Sequence, residues 1–166
     1  MLVKSISRMA VLARRGFAAA ATTSAAHQTN TDELRLTFAS PDTAFYNNQV
    51  VKQVDIPTLA GMVGVLANHV PTIGVLKPGV VAVIDLEGNI DKYFVSSGTM
   101  SMNIDGSCQV LAEEVVKLDD IDEAAARAEL EAARRASAEG SELARAEAEI
   151  RAEVADALIK AATGQV

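Results

Sequence analysis

The fold of this chain is decided in residues 80–95, which read VVAVIDLEGNIDKYFV. Two apolar, β-branched runs flank the turn signal Glu87-Gly88-Asn89, an arrangement typical of a β-hairpin. Val83 lies in the middle of the most apolar run of the chain, so we expect its side chain in the core. The stretch therefore predicts a pair of antiparallel strands in a β-rich domain.

The residues on both sides of this hairpin carry the same β-type pattern, from Leu34 to about Lys117. Leu34, Leu36 and Phe38 alternate with more polar neighbours, which predicts a half-buried strand. Gly61 and Gly64 bracket what we expect to be a short loop. Further turn signals recur every 8–12 residues or so, at Asn47-Asn48, Pro78-Gly79, Ser97-Gly98 and Asp105-Gly106. This spacing predicts an all-β sandwich as the N-terminal domain, over residues 33–117.

The composition changes at Asp119, where Ala, Glu and Arg replace Gly and the β-branched residues. Asp120 and Glu123 have the spacing of a capping box, so a first helix should start there and run to about Ser137. Gly140-Ser141 interrupts it, and a second helix should run from Glu142 to about Ala162. The pattern predicts a C-terminal antiparallel α-helical hairpin over residues 119–163.

The apolar faces of this hairpin are thin. Small side chains bury little apolar area, so the seam between the helices should be weak and should depend on the sandwich or on a partner. The first helix offers mainly alanine, and the second offers one stripe of larger side chains. The residues expected to need this support are Ile121, Ala125, Ala128, Ala132, Ile150, Val154 and Leu158.

Charge divides the 166 residues into two unequal parts. The net charge of −7 consists of +4 in the first 31 residues, which contain no acid, and −11 in the rest. An acidic body argues against binding to nucleic acid. No apolar run approaches the ~18 residues of a membrane span.

Residues 1–26 are rich in Ala, Ser, Thr and Arg. At ~100° per residue, five apolar side chains from Leu2 to Phe17 fall within one helical arc, opposite three basic ones. Such a basic amphipathic segment is typical of a mitochondrial transit peptide. Arg14-Arg15 interrupts the apolar run that a secretory signal would need. A basic tail without structure and a chloroplast address remain as alternatives.

The sequence offers little for catalysis. It has neither a Gly-Lys-Ser/Thr phosphate loop nor a Gly-x-Ser-x-Gly elbow, and its histidines are His27 and His69. Zinc catalysis needs three protein ligands, and no such cluster is present. Cys108 alternates with apolar neighbours, so we expect a buried core residue rather than a reactive thiol. We expect no cofactor and no enzymatic activity.

Three segments resemble the delta/epsilon family of ATP synthase central-stalk subunits. They read GMVGVLANHVPTIGVLKPG at residues 61–79, FVSSG at 94–98 and LAEE at 111–114. The resemblance covers residues ~33–163 in order. The family member is called delta in mitochondria and epsilon in bacteria and chloroplasts, and the transit-like N-terminus indicates the mitochondrial form.

The resemblance implies a non-catalytic rotor subunit that links the c ring to gamma and transmits the rotation that drives ATP synthesis. The implied partners are gamma, the c-subunit ring and the small mitochondrial epsilon subunit. The implied location is the matrix side of the mitochondrial inner membrane, without a transmembrane segment. The loop implied to face the c ring comprises Gly61, Met62, Val63, Gly64, Asn68 and His69.

Two departures from the family pattern bear on alternative functions. Bacterial relatives often carry an acid where Met62 stands. Some of them bind ATP through a motif of the form Ile/Leu-Asp-x-x-Arg-Ala, whereas here Arg127 comes one residue late, which turns it by ~100° around the helix. This shift argues against nucleotide binding, and a regulatory subunit that senses nucleotide or inhibits ATP hydrolysis through the hairpin is kept as the alternative. A small imported enzyme with a sandwich pocket is a weaker one.

Overall fold

The structure is a computed structural model that describes residues 32–138 and 141–165. The predicted transit peptide, residues 1–26, lies outside the described residues. The predicted fold class is confirmed, because a β-sandwich is followed by two helices. The strands are β1 (Leu34–Ala39), β2 (Ala44–Val51), β3 (Gln53–Thr58), β4 (Gly61–Leu66), β5 (Thr72–Leu76), β6 (Gly79–Ile84), β7 (Ile90–Val95), β8 (Gly98–Met102), β9 (Ser107–Ala112) and β10 (Val115–Lys117).

The strands form one continuous hydrogen-bonded sheet folded on itself. Its order is β10-β7-β6-β3-β5-β8-β9-β1-β2, with β4 paired to β3. The predicted hairpin is confirmed as β6 and β7, whose register runs from Gly79 opposite Val95 to Ile84 opposite Ile90. The Asp85 carboxylate closes the turn by accepting hydrogen bonds from the backbone and side-chain amides of Asn89, which lowers the pKa of Asp85.

The core lies between the two halves of the folded sheet and is mainly aliphatic, with a small aromatic cluster around Phe38. Leu34, Leu36 and Phe38 are fully buried, as their alternation predicted, and so is Val83. Across the open side of the sandwich the Tyr46 hydroxyl on β2 donates a 2.6 Å hydrogen bond to Asp91 on β7. This bond joins a terminal strand to a strand near the other end of the sheet, so it holds the sandwich closed. Burial and this bond raise the pKa of Tyr46 above its ordinary value.

The turn predicted at Asn47-Asn48 is wrong. Strand β2 continues through both residues, with Asn48 in the left-handed region at φ 52°. Between the pairs Leu36–Gln49 and Phe38–Tyr46, β2 contains one more residue than β1. This β-bulge takes up the extra residue, and Asn accepts the left-handed conformation better than most residues.

The helices are α1 (Glu123–Ala138) and α2 (Glu142–Ala162), preceded by a short 3₁₀ helix at Leu118–Asp120. The predicted cap at Asp120 is wrong because that residue belongs to the 3₁₀ turn. Asp122 caps α1 instead, accepting hydrogen bonds from the backbone amides of Ala124 and Ala125 at 2.9 and 3.1 Å. No helix in the described part of the chain is long and apolar enough to cross a membrane.

Candidate interaction surfaces

The segment predicted to be a loop facing a partner begins with a strand. Residues 61–66 form β4, and the turn before it consists of Leu59 and Ala60. Gly61 ends this tight turn at φ 121°, a conformation that favours glycine. The Thr58 hydroxyl donates a 2.7 Å hydrogen bond to the Gly61 carbonyl, which fixes the turn. The glycines therefore mark a turn and an edge strand rather than a loop.

The side chains of β4 alternate between the core and the outside. Val65 is buried and Val63 packs against the core, whereas Met62 and Leu66 are exposed. Gly64 lies between the two exposed residues, and the Asp55 carboxylate on β3 occupies the space beside its Cα, 3.1 Å from where a Cβ would stand. The outer face of β4 is thus apolar, with one acid partly filling its middle.

The strand separates the predicted site residues into two groups. Gly61 and Met62 lie at the turn end of β4, whereas Asn68 and His69 follow its other end, about 16 Å away at ~3.3 Å per residue. Nδ1 of His69 lies 2.9 Å from the Val70 carbonyl oxygen, so the ring bonds to its own loop. One partner must extend along the whole strand to touch both groups.

The seam between the helices is built mainly from residues other than those expected to need support from a partner. Ala125 and Ala128 are exposed and Ala132 is half-buried. Leu130 is the large side chain of the seam, and Arg151 on α2 donates a 2.8 Å hydrogen bond from Nε to Glu129 on α1. The other buried seam residues are alanines: Ala126 and Ala133 on α1, with Ala148 and Ala155 on α2.

The sandwich covers one half of the predicted stripe on α2 and leaves the other half exposed. Val154 and Leu158 pack, together with Ile121, against a small cluster that contains Val80, Phe94 and Ala161. The sandwich therefore supports the lower half of the stripe. Farther up the helix, Leu143 and Ile150 continue the same stripe but are exposed. This upper half has no cover within the described residues.

A second apolar surface lies on the outer face of β5, β8 and β9. Ile73 and Val75 on β5 are exposed, and so is Leu111 on β9. The register places Val75 opposite Thr99 and Thr99 opposite Leu111, so these side chains share one face. Exposed apolar side chains grouped on one face are typical of surfaces that contact another protein.

The described residues contain no group of three or more His, Cys, Asp and Glu that could hold a metal ion. Cys108 is buried, and burial raises the pKa of its thiol to about 11. The thiol is therefore neutral at physiological pH, as expected of a core cysteine.

The groove between the hairpin and β10 is a poor place for a nucleotide. It has a volume of about 290 Å³, and its charged lining residues are the acids Asp122 and Glu129. The Asp122 carboxylate caps α1, and Arg127 donates from Nε to Glu123 at 2.8 Å. The Asp122 carboxylate would repel phosphate, and the nearby arginines Arg127 and Arg151 already pair with Glu123 and Glu129.

These features are typical of a class of protein: a small subunit of a larger assembly, with a closed sandwich and several apolar surfaces that neighbours can cover. A family described as "ATP synthase, Delta/Epsilon chain, beta-sandwich domain" matches residues 33–118. The chain belongs to the ATP synthase delta/epsilon family.

Similar proteins extend this likeness to the whole chain. "ATP synthase subunit delta, mitochondrial" of Caenorhabditis elegans is 72% identical over 165 residues, which are 99% of this chain and 99% of that protein. The protein of the same name in Yarrowia lipolytica is 40% identical, over 94% of this chain and 92% of its own length.

Two solved structures share the fold. A chain in the "Cryo-EM structure of Euglena gracilis mitochondrial ATP synthase, OSCP/F1/c-ring in rotational state 1" superimposes with a TM-score of 0.72 at 31% identity, covering 76% of this chain and 79% of its own. A chain of the Tetrahymena thermophila "central stalk/cring" structure has a TM-score of 0.60 at 12% identity, covering 78% and 96%, and this likeness shows the fold alone.

Sequence reasoning missed the seam of the hairpin and the edge strand. The signal for the seam was the helical spacing of Ala126, Leu130 and Ala133, which the more numerous alanines on the opposite face concealed. The signal for β4 was the alternation of Val63 and Val65 with less buried neighbours, which the two glycines concealed.

Proposed function

We propose that this chain is the delta-type subunit of the mitochondrial ATP synthase rotor, linking the c ring to gamma without catalysing a reaction itself. The observation that carries the proposal is the 72% identity to a mitochondrial delta subunit over 99% of both chains. The Euglena relative, 31% identical with a TM-score of 0.72, supports it because that structure contains F1 and the c ring.

The physical character of the sandwich suits a part that transmits torque. Its strands form one continuous ladder, and the Tyr46–Asp91 hydrogen bond clamps its open side. A closely packed core is nearly incompressible, so a force applied at one end of the sandwich reaches the other with little loss. The subunit could thus transmit the rotation that drives ATP synthesis as a rigid body.

The partners are assigned to surfaces by their chemistry. We assign the turn end of β4, with Gly61 and Met62, to the c ring. The outer apolar face around Ile73 and the uncovered stripe around Ile150 are assigned to gamma and to the small mitochondrial epsilon subunit. Attachment to the ring would hold the chain at the matrix side of the inner membrane, without a span of its own.

The test is co-purification from mitochondria with two matched variants. Ile73 and Ile104 are both 83% exposed, but Ile73 lies on the outer apolar face and Ile104 in the turn between β8 and β9. The tagged wild-type chain should recover gamma and c subunits together. Ile73→Glu should lower this recovery, because a charge would be buried in the contact, whereas Ile104→Glu should leave it unchanged.

Two results would count against the proposal. Recovery of neither gamma nor c subunits with the wild-type chain would remove the rotor assignment. Equal recovery with both variants would remove the assignment of the outer face alone. A saturable response to ATP by the isolated protein would favour the regulatory alternative.

A further inference from the structure

The outer edge of β4 carries backbone groups that no described strand pairs with. Pro57 on β3 lacks an N–H, so its pair with Met62 cannot exchange hydrogen bonds. Because bonded and non-bonded pairs alternate along an antiparallel ladder, the amides of Met62, Gly64 and Leu66 point away from β3. The Leu66 carbonyl already accepts from the backbone N–H of His69 at 3.2 Å, which agrees with this outward direction.

Within residues 32–138 and 141–165, this edge lacks the features that usually protect against another strand. Natural edge strands are blunted by lysines, prolines, bulges or covering loops. Residues 61–66 read GMVGVL and contain neither a charge nor a proline, and their register with β3 is regular. The charge-free stretch extends from Ile56 to Leu76, although charged residues make up 22% of the chain.

The charge of the molecule decides which kind of strand fits. The residues from Asp32 onward carry a net charge of −11, so two copies of this chain would repel each other. The cavity at Met62 is lined by two lysines and two acids, Lys77, Lys160, Glu153 and Asp156, whose charges balance. Apart from Asp55, a charged strand would therefore meet no net counter-charge along β4. An uncharged segment of a different subunit meets neither obstacle, and its side chains can pack on the exposed Met62 and Leu66.

We propose that an extended, uncharged segment of a neighbouring rotor subunit adds to β4 as a further strand and bonds to the outward main-chain groups of Met62 and Gly64 and to the N–H of Leu66. This inference rests on the proposed function, since it describes how the rotor contact at residues 61–69 is made. Strand addition takes its affinity from main-chain hydrogen bonds, and its register from the side chains on alternate positions.

Strand addition also explains how one partner reaches both groups of predicted site residues. A strand that pairs along β4 runs from Gly61 and Met62 to Asn68 and His69, which lie at opposite ends. The ladder would then continue from the core of this subunit into its neighbour. A contact of this kind is insensitive to salt, because it contains no ion pair.

The test compares Gly64→Pro with Gly64→Ala. Both add a Cβ that meets the Asp55 carboxylate at 3.1 Å, the movable end of a side chain. Only proline removes the outward N–H and places a ring atom where the added strand would lie. The β3–β4 ladder keeps its bonds in both variants, because those bonds belong to the neighbouring residues. Thermal melting of each isolated variant should show that the sandwich is folded.

The measurement is amide hydrogen exchange of the free subunit and of the purified ATP synthase complex. We expect the Met62 and Gly64 amides to exchange quickly in the free chain and about 100-fold more slowly in the complex, whereas Val63 and Val65 are slow in both. Gly64→Ala should assemble like wild type, and Gly64→Pro should be recovered with the complex at least about tenfold less.

The outcomes separate the two proposals. If the wild-type chain assembles but its outward amides stay fast, or if Gly64→Pro assembles as well as Gly64→Ala, strand addition is wrong and the rotor role stands. If the wild-type chain does not assemble with the complex, the proposed function fails and strand addition fails with it. A concentration-dependent dimer that Gly64→Pro abolishes would show that a second copy occupies the edge instead.

Discussion

Replacing Leu130 by alanine should open the helical hairpin while the sandwich stays folded. Leu130 is 8% exposed and is the large side chain in a seam otherwise made of alanine. The substitution removes three carbon atoms, which at ~0.8 kcal/mol for each buried CH₂ amounts to about 2.4 kcal/mol. The cavity left behind raises the expected loss to about 2.5–4 kcal/mol.

Within the seam little else opposes this loss, although the sandwich supports the lower half of α2. The Arg151–Glu129 bridge is about half exposed on both sides, so it contributes at most about 1 kcal/mol. Ordering two helices costs backbone entropy that an alanine seam offsets poorly. We therefore expect the variant to populate an open hairpin, with the strands unaffected.

Amide exchange on the free protein measures this directly. In Leu130→Ala the amides of α1 and α2 should exchange much faster than in wild type, while those of β6 and β7 keep their rates. Leu143→Ala is the control, because the same atoms are removed from a side chain that is 71% exposed, and the change should stay within ~0.5 kcal/mol. If the helices of Leu130→Ala exchange as slowly as the strands, the hairpin is self-sufficient and the reasoning is wrong.

Four further outcomes are expected. Val83→Asp should prevent the sandwich from folding, since it buries an unpaired carboxylate at a cost of several kcal/mol, whereas the exposed Glu149→Gln should leave the melting temperature nearly unchanged; equal losses would contradict the position of the core. Gly98→Ala should strongly destabilise the sandwich. Gly98 has φ 151°, and a Cβ there would stand 2.1 Å from the Leu111 carbonyl oxygen on β9, so a melting temperature equal to wild type would refute this contact. Cys108 should resist thiol reagents at pH 8 until the protein unfolds, and rapid labelling of the folded protein would show that the thiol is accessible. The free energy of unfolding should fall as the pH rises from about 8.5, the pKa of an unfolded cysteine, towards the folded pKa of about 11. N-terminal sequencing of the mature protein from mitochondria should find that the first ~17–26 residues are gone, and a chain that still begins at Met1 would refute the transit peptide.

The sequence determined the features that depend on near neighbours. The alternation of Leu34, Leu36 and Phe38 placed one strand, and the Glu87-Gly88-Asn89 turn placed the central hairpin. The change in composition at Asp119 separated sandwich from helices. These signals are local, since turn chemistry and side-chain periodicity act within a few residues.

Only the tertiary structure decided which surfaces remain free. The periodicity of α1 offers an alanine face around Ala128 and a second face around Leu130, and packing against α2 selected the second. Gly61 and Gly64 are compatible with a loop or a strand, and pairing with β3 made them part of an edge. The edge of β4 is free because folding places β3 on one side of it and no described strand on the other. Such contacts between residues far apart in the chain leave no periodic pattern in either segment.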